Sequence, residues 1–432
     1  MNSDFMRRFD FRFLRSVSGS TAIMRIALLA AILWIMPINI ELRAQAAGGS
    51  NYSAFGFGDM IESHGAAFDA VGGSAIGATS PFAVNLANPA AWNAVRSTRF
   101  QTGFTFRQFL NTDAQGTIAQ NGGYLQGFSA IFSIDTARGI SAGFGIVPKS
   151  NVQYAYRIVQ NADDPNRASS TLFRGNGGMS ALYLGGAFQV LPQLHLGFTA
   201  EYNFGNIEAN VQTDATSALA QSRTIITDAI SGGYGKIGLQ YLGIQNLAIG
   251  LTVGTGVPMI IERAATYKFS GLLRDTVVSE TLNATLPLEL GFGLGYTLNR
   301  VTLLADVCTQ DFSTLAYRVR RDDLSFRRTL RASAGVAVAG STDYAASFLE
   351  TLGYSFGAGY HQQYLQFGTV GINELYGSFG VQLPVARRVI FDLAVTGGVR
   401  GTNTSGLTQE LFGRFSFSVN VGEIWFQPLF RE

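Results

Sequence analysis

The sequence predicts an all-β fold, a 14-stranded antiparallel transmembrane β-barrel with an N-terminal hatch or plug. Three observations predict it. After the leader, fourteen segments of roughly 10 residues alternate apolar and polar side chains, the length a tilted strand needs to cross a bilayer core. Hydrophobic residues make up 47% of the chain and charged residues 14%, yet no run of 18 apolar residues follows the leader. Long polar connections and very short turns succeed one another, as external loops and periplasmic turns do in bacterial barrels. Lipid offers no hydrogen bonds, so strands that cross it must close into a ring.

The expected organisation is a signal peptide (1–46), a hatch (47–97), the barrel (98–426) and a short periplasmic tail (427–432). Arg7, Arg8, Arg12, Arg15 and Arg25 precede the apolar run 26–40, and Ala44-Gln45-Ala46 offers a cleavage pattern. Met24 is an alternative start, since Met24-Arg25 and the same run make a complete short signal. That run is too short for a membrane helix and Pro37 interrupts it. No cysteine near the cut offers a lipid anchor. Cys308, the single cysteine, can form no internal disulfide in an oxidising periplasm. The net charge of +2 says little about partners, and nothing points to nucleic acid.

Period two is explicit in the strands. Strand one (99–109) sets Phe100, Phe104 and Phe106 against Arg99, Gln101, Thr105 and Arg107. Strand five opposes Leu196, Phe198 and Tyr202 to His195, Gly197, Thr199 and Glu201. In strand eight Leu288, Leu290 and Phe292 oppose Glu289, Gly291 and Gly293, and in the last strand Phe415 and Phe417 oppose Arg414, Ser416 and Ser418. The 51 glycines and 33 phenylalanines fit a wall with phenylalanine toward lipid and a glycine-, serine- and charge-bearing face toward a narrow polar lumen. Short turns near 135–139, 191–193, 243–246, 297–300 and 384–388 all fall on one side, which puts both termini in the periplasm. The turn 341–350 is longer than the pattern wants, and 266–269 reads as part of an external loop.

Residues 47–97 lack period two and are rich in glycine and alanine. A disordered tail would be more charged and less apolar. Phe55, Phe57, Phe68, Phe82 and Trp92 need somewhere to pack, so the segment reads as a plug in the lumen. Its glycine-rich run is no phosphate loop, because no Lys-Ser/Thr ending follows.

The run Val71-Gly72-Gly73-Ser74-Ala75-Ile76-Gly77-Ala78 leading into Asn88-Pro89-Ala90-Ala91 resembles the hatch and Asn-Pro-Ala turn of the FadL/TodX outer-membrane channels for long-chain fatty acids and aromatic hydrocarbons. Glu201-Tyr202-Asn203-Phe204-Gly205 resembles a strand of that family ending in Phe-Gly. Leu286-Pro287-Leu288-Glu289, Ala305-Asp306-Val307 and Gln310-Asp311-Phe312-Ser313 are similar to its central strand pair. Glu423-Ile424-Trp425-Phe426 is similar to endings in one branch. The resemblance implies fourteen strands, a hatch, uptake of an apolar ligand from outside and movement toward a lateral opening. The chain departs from the commonest barrel ending by continuing through Gln427-Pro428-Leu429-Phe430-Arg431-Glu432.

Candidate ligand-binding cations are the inward Arg99, Arg107, Arg331 and Arg414, and strands one and fourteen are neighbours at closure. Inward Glu201, Glu289, Asp306 and Asp392 are the carboxylates expected to pair with them. Hatch candidates are Phe55, Phe57, Phe68, Phe82, Asn88, Pro89 and Ala90. The basic run Arg318, Arg320, Arg321, Arg327 and Arg328, broken by Asp322 and Asp323, is either a solvated loop or a contact for lipid phosphate. His64, His195 and His361 lack metal-ligand spacing, so no metal, cofactor or catalytic residue is expected.

The first functional reading is passive, hatch-gated transport of hydrophobic small molecules across a Gram-negative outer membrane. Its alternative is a non-transporting barrel acting as scaffold or accessory subunit of a larger outer-membrane complex. Partners are expected to be membrane lipids, an apolar ligand, the barrel-assembly machinery during biogenesis and other outer-membrane proteins. Whether the four hatch phenylalanines line a greasy pocket or pack as a tight core bears on the choice.

Overall fold

The computed structural model describes residues 48–63, 65–160, 169–215, 221–269, 275–318, 321–343, 345–386 and 388–425. The leader and the tail read from the sequence lie outside these residues, as do His64 and Arg320.

The N-terminal segment carries a 3-10 turn (Asn51–Ala54), β1 (Asp59–Met60), α1 (Ala66–Asp69) and a second 3-10 turn (Pro89–Ala94). The wall then begins with β2 (Thr98–Asp113) and β3 (Gly116–Asp135). β4 (Ile140–Pro148) and β5 (Ser150–Gln160) share one stave, followed by β6 (Ser169–Leu191), β7 (Leu194–Ala215) and β8 (Ser222–Ile244). Two more broken staves are β9 (Leu247–Gly256) with β10 (Met259–Phe269) and β11 (Thr276–Ala284) with β12 (Glu289–Leu298). β13 (Val301–Asp311) and the short β14 (Leu324–Phe326), which heads the stave of β15 (Arg328–Val338), come next. β16 (Gly353–Phe367), β17 (Val370–Ala386), β18 (Val389–Gly401) and β19 (Gln409–Glu423) complete the ring. Fourteen antiparallel staves result, each paired with its sequence neighbour, and β19 closes on β2 from Glu423↔Thr98 to Gln409↔Thr112.

The two faces of the wall divide by period two. Leu125, Leu184, Phe198, Ile237, Leu251, Phe292, Phe356 and Val395 point outward and are exposed, while Thr105, Ser129, Thr199, Gln240, Ser333 and Asn420 point inward and are buried. At the short-turn end of the outer face Phe100, Phe128, Phe132, Phe144 and Trp425 form a ring cluster, with Phe132 and Trp425 centroids 5.5 Å apart. Such a cluster suits the lipid headgroup level. Among the described residues no helix is long and apolar enough to cross a membrane; the strands do so, and the chain is an outer-membrane β-barrel.

Several stretches read as long loops are strand. Residues 116–123, 150–160, 169–177, 205–215, 222–229, 259–269 and 276–284 extend the ladders β2–β3, β5–β6, β7–β8 and β10–β11, and 266–269 is the end of β10. Beyond the bilayer neither face of a hairpin meets lipid. The apolar alternation that marks a crossing strand therefore disappears while the backbone ladder continues. The long turn 341–350 runs into α2 (Phe348–Thr351), whose capping box joins Ser347 and Glu350, and the stave count is unaffected.

The interior behind the polar inward face is occupied. Residues 48–95 run down the inside of the ring, and wall glycines seat their backbone. A Cβ on Gly250 would meet the Ile76 carbonyl, one on Gly293 the Gly77 amide and one on Gly357 the Gly72 amide. Toward the long-hairpin end the segment joins an apolar core in which Phe57, Phe312, Tyr317, Leu365 and Ile372 are buried. Fully burying a side chain such as Phe57 stabilises by about 1.5–3 kcal/mol.

One place in the wall lacks its ladder. β3 pairs with β4 only from Phe128↔Ile146 to Asp135↔Ile140, and past Gly127, at φ +85°, β3 continues without β5. Among the described residues no backbone ladder joins β5 to residues 116–127. The free edge of β5 is met instead by β1, through Asp59↔Asn151 and Met60↔Ser150. Across the gap the Gln120 side chain donates to the Ala155 carbonyl.

Candidate functional site

The inward charges assemble around Asp59, at the start of β1. Arg107 Nη1 lies 3.1 Å from one Asp59 oxygen and Arg400 Nη1 2.9 Å from the other. Arg400 reaches Glu374 at 2.8 Å, Glu410 at 3.5 Å and the Ser50 hydroxyl at 3.0 Å. Arg414 donates to Glu374 at 3.0 Å. Arg107 and Arg414 sit directly opposite each other on β2 and β19, an arrangement that like charges disfavour. The carboxylates of Asp59 and Glu374 resolve it. Removing one member of such a buried set costs about 3–5 kcal/mol, because an unpaired charge stays behind.

The four sequence candidates therefore have different fates. Arg107 and Arg414 belong to this network. Arg331 faces Glu62 of the N-terminal segment at 3.6 Å. Arg99 stands apart at the short-turn end, 5.3 Å over the Phe82 ring, with Nη1 3.4 Å from the Arg388 carbonyl. None of the expected carboxylate partners is the one found. Glu201 pairs with Lys149 and Glu289 with Lys236, both at 2.7 Å. Asp306 accepts the N–H groups of Ala75, Ile76 and Gly77 at 2.5, 2.6 and 3.4 Å. Asp392 accepts from Gln382 at 2.9 Å and Asn420 at 2.6 Å. The N-terminal segment inside the ring takes Arg107, Arg331 and Asp306 through Asp59, Glu62 and three backbone amides, while Arg414, Glu201, Glu289 and Asp392 find other partners within the wall.

Asn88, Pro89 and Ala90 build one joint of the segment. Asn88 caps the second 3-10 turn by accepting from the Ala90 amide at 3.1 Å, and its Nδ2 donates to the Ile76 and Leu239 carbonyls at 2.9 and 3.2 Å. Proline at the first position needs no amide partner. The four phenylalanine candidates of the segment split. Phe57 is fully buried against Tyr317, and Phe55 packs edge-on to Phe367 at 5.2 Å. Phe68 and Phe82 instead line a cavity.

Two cavities flank the segment. The central one, about 80 Å³, is lined by Asp59, Glu62, Arg331, His361, Glu374 and Arg414 among others, room for a few waters. The larger, about 300 Å³, lies between the segment and the short-turn ends of β13, β15, β16, β17 and β18 and is mostly apolar.

The described arginines of the basic run each meet a partner within the protein. Arg318 turns inward to the Ala54 and Gly56 carbonyls at 2.8 and 3.0 Å. Arg321 binds Asp323 at 2.8 Å, and that hydrogen bond holds the Asp323 carboxyl below its ordinary value. Arg327 donates to the Gln363 and Ile372 carbonyls, and Arg328 pairs with Asp311. Among the described residues no group of histidine, cysteine or carboxylate side chains is arranged to hold a metal, and His195 Nδ1 has no hydrogen-bond partner.

A protein-family model described as BamG matches residues 24–429. The chain belongs to the BamG family. Its fold is that of the FadL/TodX channels. The toluene transporter TbuX of Ralstonia pickettii is 14% identical with a TM-score of 0.55, over 84% of this chain and 99% of that one. A Pseudomonas aeruginosa FadL homologue is 11% identical with a TM-score of 0.59, over 85% and 100%. The P. putida toluene transporter TodX is 14% identical with a TM-score of 0.55, over 85% and 100%. No curated protein matches the sequence.

Arg400 and Glu374 of this BamG-family barrel escaped the sequence reading, although both obey the alternation of their strands and stand opposite each other in register. Asp59 carried no such signal, because its segment has no repeat to say which way it points.

Proposed function

We propose that this barrel passes hydrophobic small molecules by passive diffusion and that residues 47–97 form the hatch controlling their passage. The observation that carries the reading is the apolar cavity of about 300 Å³ under the segment, walled by Phe68 and Phe82. The interrupted ladder between β3 and β5 adds support, since a lateral exit needs a break in the wall. Structures of the same fold bear the names of toluene transporters. Arg107 and Arg331 act here as hatch anchors, facing Asp59 and Glu62 of the segment, and Arg414 is taken by Glu374 of the wall. That favours an apolar ligand without a carboxylate.

A second reading, an accessory subunit of an outer-membrane assembly, is favoured by the family name, which points to the barrel-assembly (Bam) machinery. The apolar core closing the long-hairpin end also favours it.

Deleting residues 48–97 from the exported chain separates the two. A hatch predicts a folded barrel with raised single-channel conductance in planar bilayers and faster toluene entry into proteoliposomes. Unchanged conductance, together with fixed-stoichiometry purification alongside other envelope proteins, would replace transport by the second reading.

A further inference from the structure

Most inward carboxylates of this barrel lie against a cation: Asp59, Glu201, Asp228, Glu289, Glu374 and Glu410 each face a lysine or arginine, and Asp306 holds three backbone amides. Asp392 differs. It is 2% exposed, accepts only from the amides of Gln382 and Asn420, and has no basic group against it among the described residues. Among the described residues it is also the one charged side chain lining the 300 Å³ cavity. A buried carboxylate without a counter-charge is costly, and two neutral donors leave lone pairs over, since a carboxylate has about four acceptor sites.

We infer that this cavity binds a hydrophobic cation, its apolar body against Phe68, Val71 and Leu304 and its ammonium on the Asp392 carboxylate. The inference rests on the transport reading and specifies its ligand class. The cavity supplies the apolar walls, mostly alanine, valine and leucine side chains with Phe82 at an exposed rim. Asp392 supplies the single point of charge recognition, three residues into β18 from the short-turn end. A neutral hydrocarbon of the same shape would fill the cavity and leave the carboxylate as it is. A carboxylate ligand would be repelled.

Three probes sharing one ring test this directly: benzylammonium, benzyl alcohol and benzoate, titrated by calorimetry against the full barrel in nanodiscs. Benzylammonium should bind about tenfold tighter than benzyl alcohol, the worth of one charge-assisted hydrogen bond, and benzoate weakest. Asp392→Asn should bring the first two to equal affinity, and Phe68→Ala should weaken both alike. Equal affinities in the unaltered protein, or a preference that survives Asp392→Asn, would overturn the cation site while leaving transport standing. Failure of all three probes to bind would overturn both readings. The unaltered protein alone decides the matter should Asp392→Asn not assemble.

Discussion

The two parts of the N-terminal segment are held in opposite ways. Residues 48–63 are gripped chiefly by their own side chains, Phe57 in an apolar core and Asp59 between two arginines, with a grip on their backbone where Tyr364 donates to the Gly58 carbonyl at 2.7 Å. Residues 65–95 are gripped through their backbone, by Asp306 at three successive amides, by Ser418 at the Ala66 amide at 2.7 Å and by glycine seats in the wall. The first part borders the small central cavity and the second the larger apolar one. Backbone grips tolerate a change of side chain, whereas a side-chain grip fails with the residue that makes it. On the transport reading, movement of the segment is least hindered beside the larger cavity, which the second part borders.

The contrast can be broken most sharply at Asp59. Asp59→Ala should cost about 4 kcal/mol in urea unfolding of the refolded barrel, because it strands charge on Arg107 and Arg400. It should also expose residues 48–63 to protease while leaving 65–95 protected; uniform protection would show that the two parts move as one. Next come Phe57→Ala and Phe68→Ala. The first should cost about 3 kcal/mol and the second about 2, since a side chain already facing a void has fewer contacts to lose; equal losses would contradict the difference in packing. Asp306→Asn should cost about 2 kcal/mol, the loss of charge-assisted acceptance by a buried group, and should free 65–95 to hydrogen exchange without disturbing 48–63. Tyr364→Phe is the smallest, about 1 kcal/mol for one hydrogen bond, seen as a slight shift of the urea midpoint.

Much of this architecture was legible in the residues. Period two and the alternation of turn lengths lead to fourteen staves because lipid imposes the same length and polarity on every crossing. The same logic fails above the membrane, where β10 and β11 have lost the lipid constraint, and inside the ring, where partners are set by three-dimensional proximity. Arg414 was legible as inward, yet its partner Glu374 lies two strands away. Asp392 was legible as inward too, and only the wall around it distinguishes a carboxylate with two amide donors from one with a cation.

The contact between Ser50 and Glu410 has a consequence in time. The Ser50 hydroxyl donates to Glu410 at 2.8 and 3.0 Å across 360 residues of chain, and Glu410 belongs to the last stave, which also zips the ring shut against the first. Because closing entropy must be met before such a distant contact rewards it, the stretch at Ser50 has no permanent seat until the last stave is in place. A stretch near the N-terminus is thus among the last to settle, and completion of the cylinder and capture of its contents are a single late step of folding.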